Sequence, residues 1–144
     1  GSGTGLAPFL SILHDPHTWE QFENIVLVHS ARTAEELVYQ DMIKGFVEHP
    51  VFSELIDDVK KRFFYVPVVT REKLENCLGE RITTLLEKGL LAQHTGLPMS
   101  TERSRFMICG NPDMVTDIRK VLKNQGYSPA RRNSPGEIAV ENYW

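Results

Sequence analysis

Asn24-Ile25-Val26-Leu27-Val28-His29-Ser30 is a continuous apolar, partly β-branched run, and its reading decides the fold. A strand with one wet face alternates apolar and polar side chains, whereas a strand covered on both faces, as in a parallel sheet, does not. The run therefore predicts a strand buried on both faces. Ala31-Arg32-Thr33 follows, and Thr33 with Glu36 three positions on has the form of a capping box, which predicts that a helix starts here. Leu37, Tyr39, Ile43, Phe46 and Val47 give that helix a rough apolar face. A buried strand leading directly into a helix is the repeating unit of α/β folds.

On the N-terminal side lies Gly1-Ser2-Gly3-Thr4-Gly5-Leu6-Ala7-Pro8, in which three glycines alternate and then give way to apolar residues through Leu13. Glycine accepts positive φ and lets another group approach the main chain. Pro8 suits the first turn of a helix, where its missing N–H costs nothing. A tight glycine turn opening a helix over Leu6 to Leu13 is a site for phosphate or pyrophosphate. It is not the usual dinucleotide fingerprint, because the third glycine of G-x-G-x-x-G is missing. A plain chain terminus or a Gly-Ser cloning remnant has the same composition.

Asp15-Pro16-His17 marks a turn, with Trp19 and Phe22 as packing residues beyond it. His49-Pro50 ends the predicted helix after the first strand, and Val51 to Lys61 predicts one further short helix. Phe63 to Thr70 is the second strand. Pro67 within it cannot donate to a ladder, so an edge position or an irregularity is expected there. Gly79-Glu80-Arg81 precedes a helix from Ile82 to Lys88, with Gly89 as its C-cap, and Thr95 to Pro98 reads as a loop. Arg105 to Cys109 is a third strand ending in Gly110-Asn111-Pro112. A helix then runs to Asn124 with Met114, Val115, Ile118, Val121 and Leu122 turned inward. Ile138 to Glu141 is the last strand, before Tyr143-Trp144.

Strands alternating with helices imply a three-layer, doubly wound α/β fold, a parallel sheet with helices on both faces. Residues 1–144 read as a single domain. Ligands of such sheets bind outside the carboxyl ends of the strands. The glycine turn, Ser30 with Arg32, Thr70 with Arg71, Cys109 to Pro112 and Glu141 to Trp144 all fall at those ends. At the end of the strand that follows the glycine turn, an acid holds a ribose 2′-hydroxyl, while arginine accommodates a 2′-phosphate. Arg32, with Arg71 and Arg81 as further donors, favours the phosphate; surface arginines on solvated loops are the other reading.

The composition narrows the classes. A net charge of −3 and the lack of any dominant basic run argue against a nucleic-acid binder. No apolar stretch approaches the ~20 residues that span a bilayer. The two cysteines, Cys77 and Cys109, are far apart and in no metal-like spacing, which points to a reduced, cytoplasmic setting.

Gly3-Thr4-Gly5-Leu6-Ala7-Pro8-Phe9-Leu10-Ser11, His29-Ser30-Ala31-Arg32, Val68-Val69-Thr70-Arg71-Glu72, Gly79-Glu80-Arg81-Ile82, Cys109-Gly110-Asn111-Pro112 and the terminal Tyr143-Trp144 occur in this order. The chain closely resembles the C-terminal NADP-binding domain of bacterial ferredoxin (flavodoxin)–NADP reductases, over essentially its whole length. The resemblance implies a mostly parallel five-stranded sheet whose first strand would precede Gly1 and is truncated here, so a gap or a compensating element is expected at the sheet centre. It also implies NADP(H) and FAD, a hydride passed between nicotinamide and flavin, and single electrons exchanged with ferredoxin or flavodoxin. It further implies that Gly3, Thr4 and Gly5 cradle the pyrophosphate and that Arg32, Arg71 and Arg81 hold the 2′-phosphate and adenine end, with Ser30 a further cofactor-binding candidate beside Arg32. Cys109, Gly110, Asn111, Pro112, Asp113 and Met114 would line the nicotinamide site, with Cys109 positioned near the hydride path. Tyr143 and Trp144 would pack against FAD.

Each assignment has a plainer counterpart. Cys109 also fits a small buried hydrophobe, and the two aromatics fit closure of the last strand. None of the five histidines needs a catalytic role; His29, at a strand end, is expected to be structural. The resemblance implies an N-terminal FAD-binding β-barrel that these residues do not include, so the chain by itself is expected to be inactive. A monomer is expected. Two rivals stand beside this reading: an NADH-dependent reductase component of an oxygenase, and a non-catalytic nucleotide-binding domain of the same fold. Docking of an acidic electron carrier on Arg131, Arg132, Lys120 and Lys123 competes with a solvated basic face.

Overall fold

The computed structural model describes residues 1–141, without the side chain of Thr4; Tyr143 and Trp144 lie outside the described residues. The chain divides into two compact units, Gly1–Gly79 and Glu80–Trp144. Each holds a parallel strand pair flanked in sequence by helices, so the α/β class with parallel strands is what the structure shows. The four described strands stand as two pairs, β1–β2 and β3–β4.

In the first unit, β1 (Ile25–Ala31) and β2 (Phe63–Val69) run parallel in the register Ile25 to Phe63 through Ala31 to Val69. Only Leu27 and His29 of β1 are buried and its other positions are half-buried, less covered than a strand enclosed on both faces. Its one partner strand among the described residues is β2. Pro67 lies at an edge, as expected. The Leu78 N–H donates to the Pro67 carbonyl at 3.0 Å and the Val69 N–H to Leu78 at 2.9 Å, so this side of β2 faces a single bridging residue rather than a strand. A missing N–H there breaks no ladder.

The helices depart from the sequence reading wherever a cap or a backbone kink intervenes. α1 (Ala7–Leu13) follows a 3-10 turn over Gly3–Leu6 and carries Pro8 in its first turn. Asp15 does more than mark a turn: its carboxylate accepts the His17 N–H at 3.0 Å and caps α2 (Pro16–Gln21). The capping box at Thr33 does not form. Thr33 makes no side-chain cap, and only a 3-10 turn, Ala34–Glu36, follows before α3 begins (Gln40–Phe46). The predicted helix from Val51 is two, α4 (Pro50–Leu55) and α5 (Val59–Arg62), separated where Asp58 adopts φ 54°.

Leu6, Leu13, Trp19, Leu27, Ile43, Phe46, Ile56 and Val59 form the core of this unit. Arg62 ties its edge together. Its guanidinium donates to the carbonyls of Glu23 and Phe22, both at 2.8 Å, and lies 5.5 Å from the Trp19 ring centroid. Carbonyl acceptors and an aromatic face suit a planar, permanently charged donor.

In the second unit, β3 (Phe106–Cys109) pairs in parallel with β4 (Ile138–Glu141). α6 (Ile82–Glu87) is followed by a helix absent from the sequence reading, α7 (Leu90–Thr95), framed by Gly89 and Gly96 in left-handed conformations. Gly89 thus both ends one helix and opens the next. α8 (Pro112–Asn124) buries Val115, Ile118, Val121 and Leu122, with Met114 half-buried.

Candidate functional site

The first unit brings the glycine turn to the carboxyl end of β1. The Ser30 N–H donates to the Gly1 carbonyl at 3.0 Å, the Gly1 nitrogen donates to the Val28 carbonyl at 2.7 Å, and Ser2 bridges Ser30 in parallel. The chain then turns through Gly3 at φ 54°, a backbone that side-chain-bearing residues rarely adopt. Among the described residues, no heavy atom beyond Gly3 and its two chain neighbours lies within 4 Å of the place a Gly3 Cβ would take. The Gly5 N–H closes the turn on the Ser2 carbonyl at 3.0 Å, and Gly5 and Leu6 are buried as the chain enters α1.

Beyond the last paired residues of β1 and β2, the ladder runs on for two steps. The Thr70 N–H donates to the Ala31 carbonyl at 3.1 Å, and the Arg71 N–H to the Arg32 carbonyl at 2.9 Å. Arg32 and Arg71 are therefore main-chain neighbours, and both are exposed. The carboxylates next to them are turned onto main-chain donors. Glu36 accepts the Arg32 N–H at 2.7 Å, and Glu72 accepts the Ala34 N–H at 2.9 Å. Sequence spacing gives Glu36 to a capping box and places Glu72 only as the end of the stretch Val68 to Glu72. No local signal marks the Glu72 contact, because its partner lies 38 positions away.

His29, the histidine singled out in the sequence, is buried, with its Nδ1 2.9 Å from the Tyr65 hydroxyl. Burial lowers its pKa from 6.5 to about 4, and burial also raises that of Tyr65. Both groups are neutral at physiological pH. The pair belongs to the packing of β1 on β2 rather than to a proton-transfer site.

The second unit carries the remaining candidates. Cys109 ends β3 fully buried; burial first, and then the Glu141 carboxylate, push its thiol pKa up. A neutral thiol suits packing or positioning and not nucleophilic attack. Gly110 follows at φ 141°. The Asn111 side chain accepts from the N–H groups of Asp113 at 2.9 Å and Met114 at 3.3 Å, capping α8, with Pro112 in its first turn. Arg81 is exposed at the N-cap position of α6, where its carbonyl accepts the Leu85 N–H at 3.0 Å. It belongs to the second unit, apart in sequence from the Arg32–Arg71 pair. Among the described residues, no group of His, Cys, Asp or Glu could hold a metal ion, and no helix is long and apolar enough to cross a membrane.

Residues 1–120 match the model of the oxidoreductase NAD-binding domain. The chain belongs to that family. This NAD-binding domain is 42% identical over 144 residues to the ferredoxin–NADP reductase of Pseudomonas aeruginosa, covering 97% of this chain and 54% of that protein. It is 38% identical to the flavodoxin/ferredoxin–NADP reductase of Escherichia coli, with 99% and 54% covered. In structure it resembles a ferredoxin–NADP+ reductase from Neisseria gonorrhoeae solved with bound FAD and NADP. The TM-score there is 0.84 and the identity 38%, with 99% of this chain and 54% of the other covered. The chain thus spans about half the length of the curated relatives it matches.

Proposed function

We propose that this NAD-binding domain serves a flavin-dependent ferredoxin or flavodoxin–NADP reductase, binding NADP(H) for hydride exchange with FAD. The observation that carries the reading is the exposed pair Arg32 and Arg71, joined through their main chains at the ends of two parallel strands. Two guanidinium forks suit a phosphate monoester, the feature that distinguishes NADP from NAD. The acids that would instead favour a ribose 2′-hydroxyl are occupied: the Glu36 and Glu72 carboxylates accept main-chain N–H groups. That arrangement speaks against the NADH-dependent rival.

The remaining roles follow the same reading. The turn at Gly3, with Thr4 and Gly5, takes the pyrophosphate, and Ser30 lies at the strand end beside it. Arg81 adds a donor for the adenine end. Cys109, Gly110, Asn111, Pro112, Asp113 and Met114 form the wall for the nicotinamide, where the neutral Cys109 thiol acts by position. Tyr143 and Trp144 are assigned to packing against FAD. When bound, FAD supplies the redox chemistry that turns a two-electron hydride into single electrons for ferredoxin or flavodoxin. This domain's own contribution is to bind and orient the nucleotide. An FAD-binding domain is assigned the other half of the enzyme, a reading supported by a chain that spans about half of its relatives' length. The whole is proposed to be a cytoplasmic monomer.

Equilibrium titration of the full-length protein with NADP+ and NAD+ tests the reading. NADP+ binds more tightly, and Arg32→Ala weakens NADP+ by about 1.5–3 kcal/mol, roughly 10- to 150-fold, while NAD+ changes little. Equal affinities of the unaltered protein for the two nucleotides would overturn it.

A further inference from the structure

The segment that carries Arg32 is fastened from a distant part of the chain. Glu72, the residue after Arg71, reaches across with its carboxylate to accept the Ala34 N–H at 2.9 Å. The Arg71 N–H donates to the Arg32 carbonyl at 2.9 Å. Together these two bonds close a ring through Arg32, Thr33, Ala34, Glu72 and Arg71. Glu36 adds a third tie, at 2.7 Å, to the Arg32 N–H. Thr33 makes no side-chain cap, and only a three-residue 3-10 turn, Ala34–Glu36, follows. Both arginine side chains are exposed, so burial does little to fix their directions.

We infer that Glu72 is a specificity-determining positioning residue: by pinning Ala34 it fixes Arg32 beside Arg71 for a nucleotide that carries a 2′-phosphate. The inference rests on the reading of Arg32 and Arg71 as phosphate donors. Two long side chains bind a phosphate well when their main chains are already ordered, because less freedom is lost on binding. A charged acceptor on a main-chain N–H is a strong form of hydrogen bond and suits an exposed anchor.

Charge by itself predicts the reverse. A carboxylate beside a bound phosphate repels it, so removing Glu72 on electrostatic grounds alone should tighten binding. The two effects have opposite signs, which makes the inference testable.

The experiment measures binding of 2′,5′-ADP and of 5′-AMP to the full-length protein and to its Glu72→Ala, Glu72→Gln and Arg32→Ala variants. Glu72→Ala is expected to weaken 2′,5′-ADP about three- to tenfold, since ordering one side chain is worth up to about a factor of ten. Binding of 5′-AMP should stay unchanged. Glu72→Gln keeps an acceptor for the Ala34 N–H without the charge, and should retain or exceed the original preference. The inference is overturned if Glu72→Ala binds 2′,5′-ADP as tightly as the unaltered protein or more so. It is equally overturned if both ligands weaken in parallel, or if Gln behaves like Ala. Should the unaltered protein show no preference for 2′,5′-ADP, or should Arg32→Ala leave that preference intact, the phosphate assignment itself fails.

Discussion

Acid should weaken this protein through one buried ring. His29 is 1% exposed, and its pKa is lowered from 6.5 to about 4, chiefly by burial. An unfolded chain takes up this proton near pH 6.5, whereas the folded protein resists it until about pH 4. The contribution is therefore complete above about pH 6.5. It is lost progressively as the pH falls toward 4, and levels off below that, where both states are protonated. Each pKa unit is worth about 1.4 kcal/mol, which sets a ceiling of about 3 kcal/mol for a shift of this size. Water reaching the ring would reduce this, so about 2 kcal/mol is expected. The Tyr65 hydroxyl, 2.9 Å from Nδ1, has its own pKa raised and does not titrate in this window. His29→Asn leaves a polar group near the position of Nδ1 and removes the titration. Urea unfolding followed by the fluorescence of buried Trp19, at steps from pH 7 to pH 4, gives the two stability curves. The unaltered protein should lose about 2 kcal/mol more than the variant across that range. Parallel curves, or an NMR titration of His29 with a midpoint near 6.5, would refute the reasoning.

Two further substitutions probe the second unit. A Cβ on Gly136 would collide with the Pro129 carbonyl oxygen and stand 2.6 Å from the Ala130 nitrogen. Gly136→Ala should thus cost about 1–3 kcal/mol in urea unfolding, and a loss below about 0.5 kcal/mol would show that the loop opens freely. Asn111→Ala removes the cap on the Asp113 and Met114 N–H groups and should cost about 1 kcal/mol, while Asn111→Asp retains most of the stability. Equal losses for Ala and Asp would dissociate Asn111 from capping.

Much of the fold was legible from local pattern. α8 and β4 occupy Pro112–Asn124 and Ile138–Glu141, as their apolar spacing, Asn-Pro start and flanking turns implied. The strand reading of residues 24–30 anticipated β1 and its parallel pairing to β2, and Pro67 forecast an edge. Local pattern erred where one residue could satisfy more than one neighbour. Thr33 and Glu36 have capping-box spacing, yet Glu36 bonds the Arg32 N–H and Ala34 is taken by Glu72, so the helix starts later. Asp58 divides α4 from α5 with a single left-handed residue, which apolar spacing does not register. α7 is a six-residue helix between two glycines, too short to show a period.

The candidate site divides in the same way. Glycine content, the arginines at strand ends and the Cys109-Gly110-Asn111-Pro112 turn could be read from residue type and order, because each depends on backbone geometry or charge within a few positions. The main-chain join of Arg71 to Arg32, the Glu72 anchor, the Tyr65 partner of His29 and the contact that forbids a side chain at Gly136 could not. Each requires groups separated along the chain to meet within hydrogen-bond or van der Waals range. Which donor a carboxylate finds is settled by competition among the neighbours that β1–β2 pairing brings to it. That competition has no trace in the order of residues around Glu72.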